Sequence, residues 1–391
     1  MKKLFLLVTM FVMSAFAFSA DYHIGVVSGT VSQSEDGLRG AQELINKFGA
    51  AENGGKVIHI TYPDNFMQEM ETTISQIVSL ADDPKMKAIV VTEAIPGTVE
   101  AFRRVREKNP DILLIANSPH EDPEMIADVA DLVLNPDNVA RGYLIVKAAQ
   151  EMGAKKFMHI SFPRHMSYEL LSRRRDIMKQ AASDLGMEFI TMTAPDPVSD
   201  VGVAGAQQFI LEKVPSWLKK YGKDTAFFAT NDAQTEPLLK RIAEDGGYFV
   251  EADLPSPTMG YPGALGVKFD KSEKGNWPKI LKKVEKSVVK AGGSGRMGTW
   301  AYSYNFAAAV ALGTHAIDVI EGRSEIDDFD EVMASLGMQS PGAGWNGSEY
   351  VDVDGIEREN FFLVYQDTYV FGKGYLNMTN LEVPEKYFEI N

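Results

Sequence analysis

The chain of 391 residues predicts an α/β protein of two similar lobes, each a doubly wound parallel sheet, joined by a hinge with a ligand cleft between them. Three observations lead there. Short apolar runs alternate with amphipathic stretches of helical length, the pattern of βαβ units around a parallel sheet. The strand-like runs are apolar nearly throughout, as strands covered on both faces are. The alternation then restarts in mid-chain, and at roughly 100–200 residues per domain this length holds two or three such units.

The first lobe opens after a segment of a different kind. Lys2 and Lys3 precede an apolar run from Leu4 to Phe18. That run is shorter than the roughly 20 residues of a membrane span and suits a signal-peptide core. Ala15 and Ala17 fit an A-x-A cleavage pattern, and Ala20 offers a second stop before Asp21. Residues 1–20 are therefore expected to leave on export, placing the protein in a bacterial periplasm; a buried N-terminal helix is the alternative. Strands follow at His23–Val27, Val57–Thr61, Ala88–Thr92, Ile112–Ile115 and Ala130–Leu134. Helices are expected between them at Asp36–Phe48, Asn65–Ala81, Pro96–Lys108 and Val139–Met152.

The second lobe begins with a strand at Lys156–Ser161, a helix at Ser167–Leu185, a strand at Glu188–Thr193 and a helix at Gly205–Tyr221. A strand at Asp224–Ala229 precedes a helix to about Asp245. Lys279–Ala291 and Tyr302–Glu321 read as helices, and Met338–Ser348 as an ordered surface loop. Asp354-Gly355 between Glu349–Val353 and Glu357–Tyr365 is a two-residue hairpin signal. The lobes are expected to take residues 21–137 plus about 300–345, and 138–299 plus about 346–391.

Composition removes several function classes. With 45% hydrophobic and 24% charged residues the chain is neither a disordered tail nor a polytopic membrane protein. It has no cysteine, which removes disulfide scaffolds, thiolate zinc sites, iron–sulfur clusters, cysteine nucleophiles and a thiol-linked lipid anchor at the cleavage point. The net charge of −15 becomes more negative once Lys2 and Lys3 leave, and argues against nucleic acid as a partner.

Three segments carry a recognisable pattern: HIGVVSGTVSQSEDGLRGAQEL (His23–Leu44), DLVLNPDNVARGYLIVKAAQEMGAKKFMHIS (Asp131–Ser161) and DTAFFATNDAQTEPLLKRIAEDG (Asp224–Gly246). Together they resemble the type I periplasmic solute-binding proteins, the two-lobed receptors of ABC importers, whose fold also forms the ligand domain of repressors related to the lac repressor. The resemblance covers most of Asp21–Glu321 in order and spacing. The chain departs from the sugar-binding members at Glu251–Lys290 and after about Gly322, and looks most like an uncharacterised subfamily. The resemblance implies closure over one small solute, transient docking to an ABC permease and a monomeric state, without a cofactor.

Candidate ligand residues lie where the strand ends meet loops, since ligands of open parallel sheets bind outside the carboxyl ends of the strands. In the loop Ser28–Gln33, Thr30, Ser32 and Gln33 offer hydroxyls and an amide to a polar or anionic group, or serve capping and turn formation. Glu93 ends the third strand, and Ser118 and His120 follow the fourth; solvated loop positions are the alternative for Glu93 and His120. Phe162, Arg164 and His165 follow the first strand of the second lobe as an aromatic and cationic wall, with Arg164 the best cation. Arg173, Arg174 and Arg175 read as a solvated helical face, from which Arg173 could reach the cleft. Asn231 and Asp232 match a pair whose aspartate contacts the ligand in sugar-binding relatives; helix capping explains Asp232 equally. Tyr261 and the run Trp300–Tyr304 line either the hinge and cleft or the core.

Enzyme signatures are weak. Gly293, Gly295 and Gly298 match G-x-G-x-x-G, but they follow a helix where the dinucleotide fingerprint follows a strand, so they read as a turn. His23, His59, His120, His159, His165 and His315 show no zinc spacing, and no G-x-S-x-G elbow occurs. Asp352, Asp354 and Gly355 belong to the hairpin rather than to a calcium loop. The expectation is a periplasmic receptor of an ABC importer binding a sugar or nucleoside, or next an amino acid, through ring stacking and charged hydrogen bonds. The alternatives are a sensory receptor serving a chemoreceptor or sensor kinase and, further off, a small-molecule enzyme.

Overall fold

The computed structural model describes residues 19–270 and 272–390, so most of the expected signal peptide, residues 1–18, lies outside the described residues. The first lobe runs β1 (His23–Ser28), α1 (Val31–Phe48), β2 (Val57–Thr61), α2 (Met70–Leu80), β3 (Met86–Val91), α3 (Thr98–Lys108), β4 (Leu113–Asn117), α4 (Pro123–Ala127) and β5 (Leu132–Pro136). Its five strands are parallel in the order β2-β1-β3-β4-β5. Their apolar side chains, such as Ile24, Val26, Ile89, Leu114 and Val133, are fully buried between two helical layers. Helix α1 starts earlier than expected and bends at Ser34, whose φ/ψ of −152°/77° is not helical. The predicted loop Ser28–Gln33 is shortened accordingly.

The chain crosses at Asp137 into α5 (Asn138–Met152), β6 (Lys156–Ser161), α6 (Glu169–Asp184), β7 (Glu188–Thr193), α7 (Gly202–Tyr221), β8 (Thr225–Ala229), α8 (Thr235–Asp245) and β9 (Tyr248–Phe249). These strands form a second parallel sheet in the order β7-β6-β8-β9. After α9 (Tyr261–Leu265), α10 (Trp277–Lys290) and β10 (Gly298–Trp300), the chain returns to the first lobe as α11 (Tyr304–Ile320). Gly40 is what lets α11 lie against α1: a Cβ there would sit 2.6 Å from that of Ala309. The G-x-G-x-x-G run closes the turn after α10 and enters β10, as its position predicted.

Beyond α11 come α12 (Phe329–Gln339), β11 (Trp345–Val351), β12 (Glu357–Gln366), β13 (Thr368–Val370) and β14 (Gly374–Tyr375). Two expectations are corrected here. The hairpin β11–β12 does not join the second lobe, where residues after about 346 were placed; β12 pairs parallel with β5 and extends the first sheet to seven strands. Phe361, Phe362 and Val364, fully buried, drive that pairing. Nor is Met338–Ser348 one loop, since α12 and β11 occupy most of it. The glycines misled: Gly347 sits inside β11, where a Cβ would lie 2.3 Å from the Leu363 carbonyl oxygen.

The chain crosses the hinge again at Ala301–Ser303 and at Asp367, where β13 joins β10 and β14 in a small third sheet. The C-terminal segment then lies on the second lobe. There Arg173 donates to the carbonyls of Phe388 (2.7 Å), Ile390 (2.7 Å) and Val351 (3.1 Å), and Tyr387 stacks on Tyr143. Arg173 and Arg174 are therefore buried, not solvated as their helix alone predicts. Their acceptors come from segments far away in sequence.

Candidate functional site

The first-lobe wall of the cleft is made by loops that leave β4 and β5. Ser118 follows β4 in a left-handed backbone conformation (φ 48°), unusual for a residue with a side chain, and its N–H donates to the Leu134 carbonyl at 2.8 Å. Glu121 accepts the N–H groups of Gly97 (3.1 Å) and Val99 (2.9 Å) at the start of α3. Asp122 caps α4 through the N–H groups of Glu124 (3.0 Å) and Met125 (3.1 Å). At the crossover, Asp137 caps α5 through Val139 (3.0 Å) and Ala140 (2.8 Å), while burial lifts its carboxyl to about 6. Nε2 of His120 lies 3.5 Å from Oε1 of Glu93.

The second-lobe wall uses the loops after β6, β8 and β9. Phe162 is buried with its ring centroid 4.2 Å from that of His165. The His165 Nδ1 lies 3.2 Å from the Thr230 hydroxyl, which meets that of Ser161 at 2.7 Å. Burial carries the His165 imidazole down to about 4, so it is neutral at pH 7. The Tyr168 ring lies 5.6 Å from His165.

The segment after β9 is fixed by two buried arginines. Arg174 donates to Asp253 (2.5 Å) and to Asn138 (2.6 Å), and lies 4.7 Å over the Phe228 ring. Arg141, 1% exposed, donates to Glu251 (2.8 Å) and to the carbonyls of Ala252 (3.0 Å) and Asp253 (2.9 Å). Asp232 accepts the Leu254 N–H at 3.4 Å; burial, and then the neighbouring Asp253, raise its carboxyl well above the usual range.

Between these walls lies a cavity of about 210 Å³. Ser118, His120, Asn135 and Asn138 face His165, Tyr168, Glu169 and Asp253 across it. Of the residues singled out from sequence, Ser118, His120 and His165 line this cavity. Glu93, Phe162 and Asp232 stand one contact behind, through His120, His165 and Leu254 respectively.

The other candidates are not among the residues that line the cavity. Thr30 and Gln33 hydrogen-bond Asp64, and Ser32 falls in the first turn of α1. Arg164, expected as the cleft cation, makes a two-pronged pair with Asp196 (2.7 and 3.0 Å) and donates to the Tyr168 hydroxyl (2.9 Å). The capping role weighed for Asp232 falls to Asn231, which accepts the Ala233 N–H at 3.0 Å. Trp300 is core: 1% exposed, it donates from Nε1 to Glu251 and lies under Arg141.

Sequence reasoning missed Asn135, Asn138, Tyr168, Glu169 and Asp253. The strand-end rule applied to Asn135-Pro136 would have found the first pair. Asp253 follows a two-residue strand too short to read.

Comparison with known proteins bears on the fold. A family model described as protein of unknown function (DUF3798) matches residues 22–298, and a second model matches 309–390. Two uncharacterized proteins of Treponema pallidum (strain Nichols) are similar. One is 42% identical over 213 residues, covering 54% of this chain and 96% of its own. The other is 44% identical over 179 residues, covering 45% and 81%.

Among solved structures, a candidate transcriptional regulator from Clostridium difficile 630 superposes with a TM-score of 0.74 at 23% identity, over 90% of this chain and 99% of its own. An ABC transporter periplasmic solute binding protein from Actinobacillus succinogenes 130z with bound D-allose reaches 0.50 at 14% identity, over 78% and 93%. The fold is the periplasmic binding protein-like type I fold, as the sequence predicted.

Proposed function

The chain belongs to the protein family of unknown function DUF3798, and from that premise we propose that it is a periplasmic receptor that closes over one small polar solute and delivers it to an ABC permease. The observation that carries this reading is the cavity at the carboxyl ends of β4, β5, β6 and β9, lined from both lobes. Interlobe clefts are favoured pockets, and hinge closure is the motion such a pair of lobes makes. Closure buries the solute, and the closed form is what a membrane partner distinguishes from the open one.

The lining supports a choice of solute class. Glu121, Asp122, Glu169 and Asp253 are among the lining residues, alongside the uncharged His165 imidazole. Such a wall disfavours an anionic group, so a sugar or nucleoside ranks above a free amino acid. The amides of Asn135 and Asn138 and the rings of Tyr168 and His165 match a ligand with hydroxyls and a flat face. The protein acts as an exported monomer, by binding rather than by catalysis.

A thermal-shift screen of the mature chain, refolded to strip carried ligand, tests the reading against sugars, nucleosides, vitamins and amino acids. A ligand at about 100 times its Kd stabilises by about 2.7 kcal/mol, raising Tm by a few degrees. Tyr168→Ala should weaken the hit by roughly tenfold, about 1.4 kcal/mol, and leave the empty protein's Tm close to wild type. An unaltered affinity removes this cavity from the site, and no shift with any class defeats the receptor reading.

A further inference from the structure

We infer that the lysine face of α10 docks the protein on an anionic phospholipid surface. The segment 268–290 holds eight lysines against three carboxylates in a chain of net charge −15, so positive charge is concentrated here. Helix α10 buries Trp277, Ile280, Val284 and Val288 on one side. Lys279, Lys282, Lys286 and Lys290 project from the other, all exposed. Their spacing of three, four and four residues keeps them within about 80° of the helix circumference, along roughly 16 Å of axis.

Two of the segment's own carboxylates are turned to other partners. Glu273 is held by Lys283 (2.6 Å) and by the Asp270 N–H (2.7 Å). Glu285 accepts the Tyr369 hydroxyl (3.1 Å) and the Gly372 N–H (2.8 Å) of the third sheet. Lys279 also acts on Glu273 through space, while the partners that Glu273 and Glu285 hold leave most of the stripe's charge for an outside partner.

Residue type selects that partner. Protein interfaces favour arginine, whose planar fork fixes geometry, and are depleted in lysine. A stripe made only of lysines supplies flexible point charges without fixed geometry, which a fluid layer of phosphate headgroups accepts. Val289, 44% exposed beside Lys290, adds a small apolar contact. The rest of the molecule is acidic and is repelled at close range, within a Debye length of about 8 Å at physiological salt. The α10 stripe is the face we infer turns toward such a surface, and the same charges that bind then orient the molecule. This inference is independent of what the cleft holds.

Co-sedimentation of the mature chain with vesicles of equal parts phosphatidylglycerol and phosphatidylcholine, against phosphatidylcholine alone, is the test. The wild type should bind the anionic vesicles at low salt, release at high salt and ignore the neutral ones. Each lysine near such a surface contributes roughly fivefold, so K279Q/K282Q/K286Q/K290Q should lose at least about 100-fold. The charge-matched K213Q/K219Q/K220Q/K240Q should stay within a few-fold of wild type, with both variants melting like the wild type. Absence of wild-type binding at low salt, retention in the stripe variant, or equal loss in the matched variant overturns the inference. Self-association that only the stripe variant abolishes, without vesicle binding, assigns the face to a protein partner and overturns it as well.

Discussion

On the first-lobe wall of the cavity, Glu121 and Asp122 give their carboxylates to backbone N–H groups no more than 24 residues away, whereas on the second-lobe wall Arg174 and Arg141 reach carboxylates 79 and 110 residues away. Local capping costs little to assemble and leaves each group near water. The second wall places full charges where water is excluded and depends on tertiary closure to bring their partners. Breaking a buried pair exposes the whole desolvation cost of the ion left behind, while a lost surface cap forfeits one hydrogen bond's worth.

The largest expected effect follows from that asymmetry. Arg141→Met leaves Glu251, 2% exposed, without its cation, and should lower unfolding stability by about 3–5 kcal/mol in urea denaturation. Adding Glu251→Leu should recover part of the loss by removing the stranded carboxylate. Recovery is incomplete because Trp300 and the carbonyls of Ala252 and Asp253 also lose partners. A loss under about 1 kcal/mol for the single variant would show that the pair behaves like an exposed one, and would dissolve the contrast between the walls.

The lobes should also differ in their response to pH. His159 is buried between the rings of Phe189 and Phe228, and burial carries it down to about 3, as it carries His165 down to about 4. Both stay neutral when folded but protonate near 6.5 when unfolded. Their contribution is complete above that value and is lost as pH falls from 6.5 toward 4. His159→Phe should therefore remove about 2 kcal/mol of the stability lost between pH 7 and pH 5, read from denaturation midpoints at the two values.

Asp137, at the crossover, has the opposite sign. Its folded value near 6 lies above the unfolded one, so its contribution is intact below about 4 and lost as pH rises through 6. Asp137→Asn keeps a capping oxygen without the buried charge and should stabilise the protein at pH 7 by about 1–2 kcal/mol. That gain should vanish near pH 4; a gain that persists there would assign it to something other than ionisation.

What the sequence made legible follows the same division. The βαβ alternation gave both parallel sheets nearly strand for strand, because buried strands and amphipathic helices write local patterns. The strand-end rule singled out His120 and Ser118, which line the cavity, for the same reason. Arg164 misled because a cation in a cleft-facing loop looks available until Asp196, from another loop, is known to hold it. Arg173 and Arg174 look solvated on their own helix, since the C-terminal segment, Asn138 and Asp253 that accept from them are long-range partners. The β11–β12 hairpin was read correctly as a hairpin, yet its lobe depends on a pairing with β5 more than 200 residues away, which no local signal encodes.

The smallest expected effect tests whether the walls are separate energetic units. Asp122→Ala removes two capping hydrogen bonds from α4, an element of five residues, and should cost about 1 kcal/mol in urea denaturation. It should leave the pH dependence set by His159 and His165 unchanged, because that caps nothing on the second lobe. Combined with Arg141→Met, its cost should add within about 0.5 kcal/mol if the two regions share no partner. A larger coupling would mean that the loop 118–123 and the buried arginine stabilise one closed state together. Such coupling would tie first-lobe capping to hinge closure, and small changes at α4 would then be felt at the cavity through the population of the closed form.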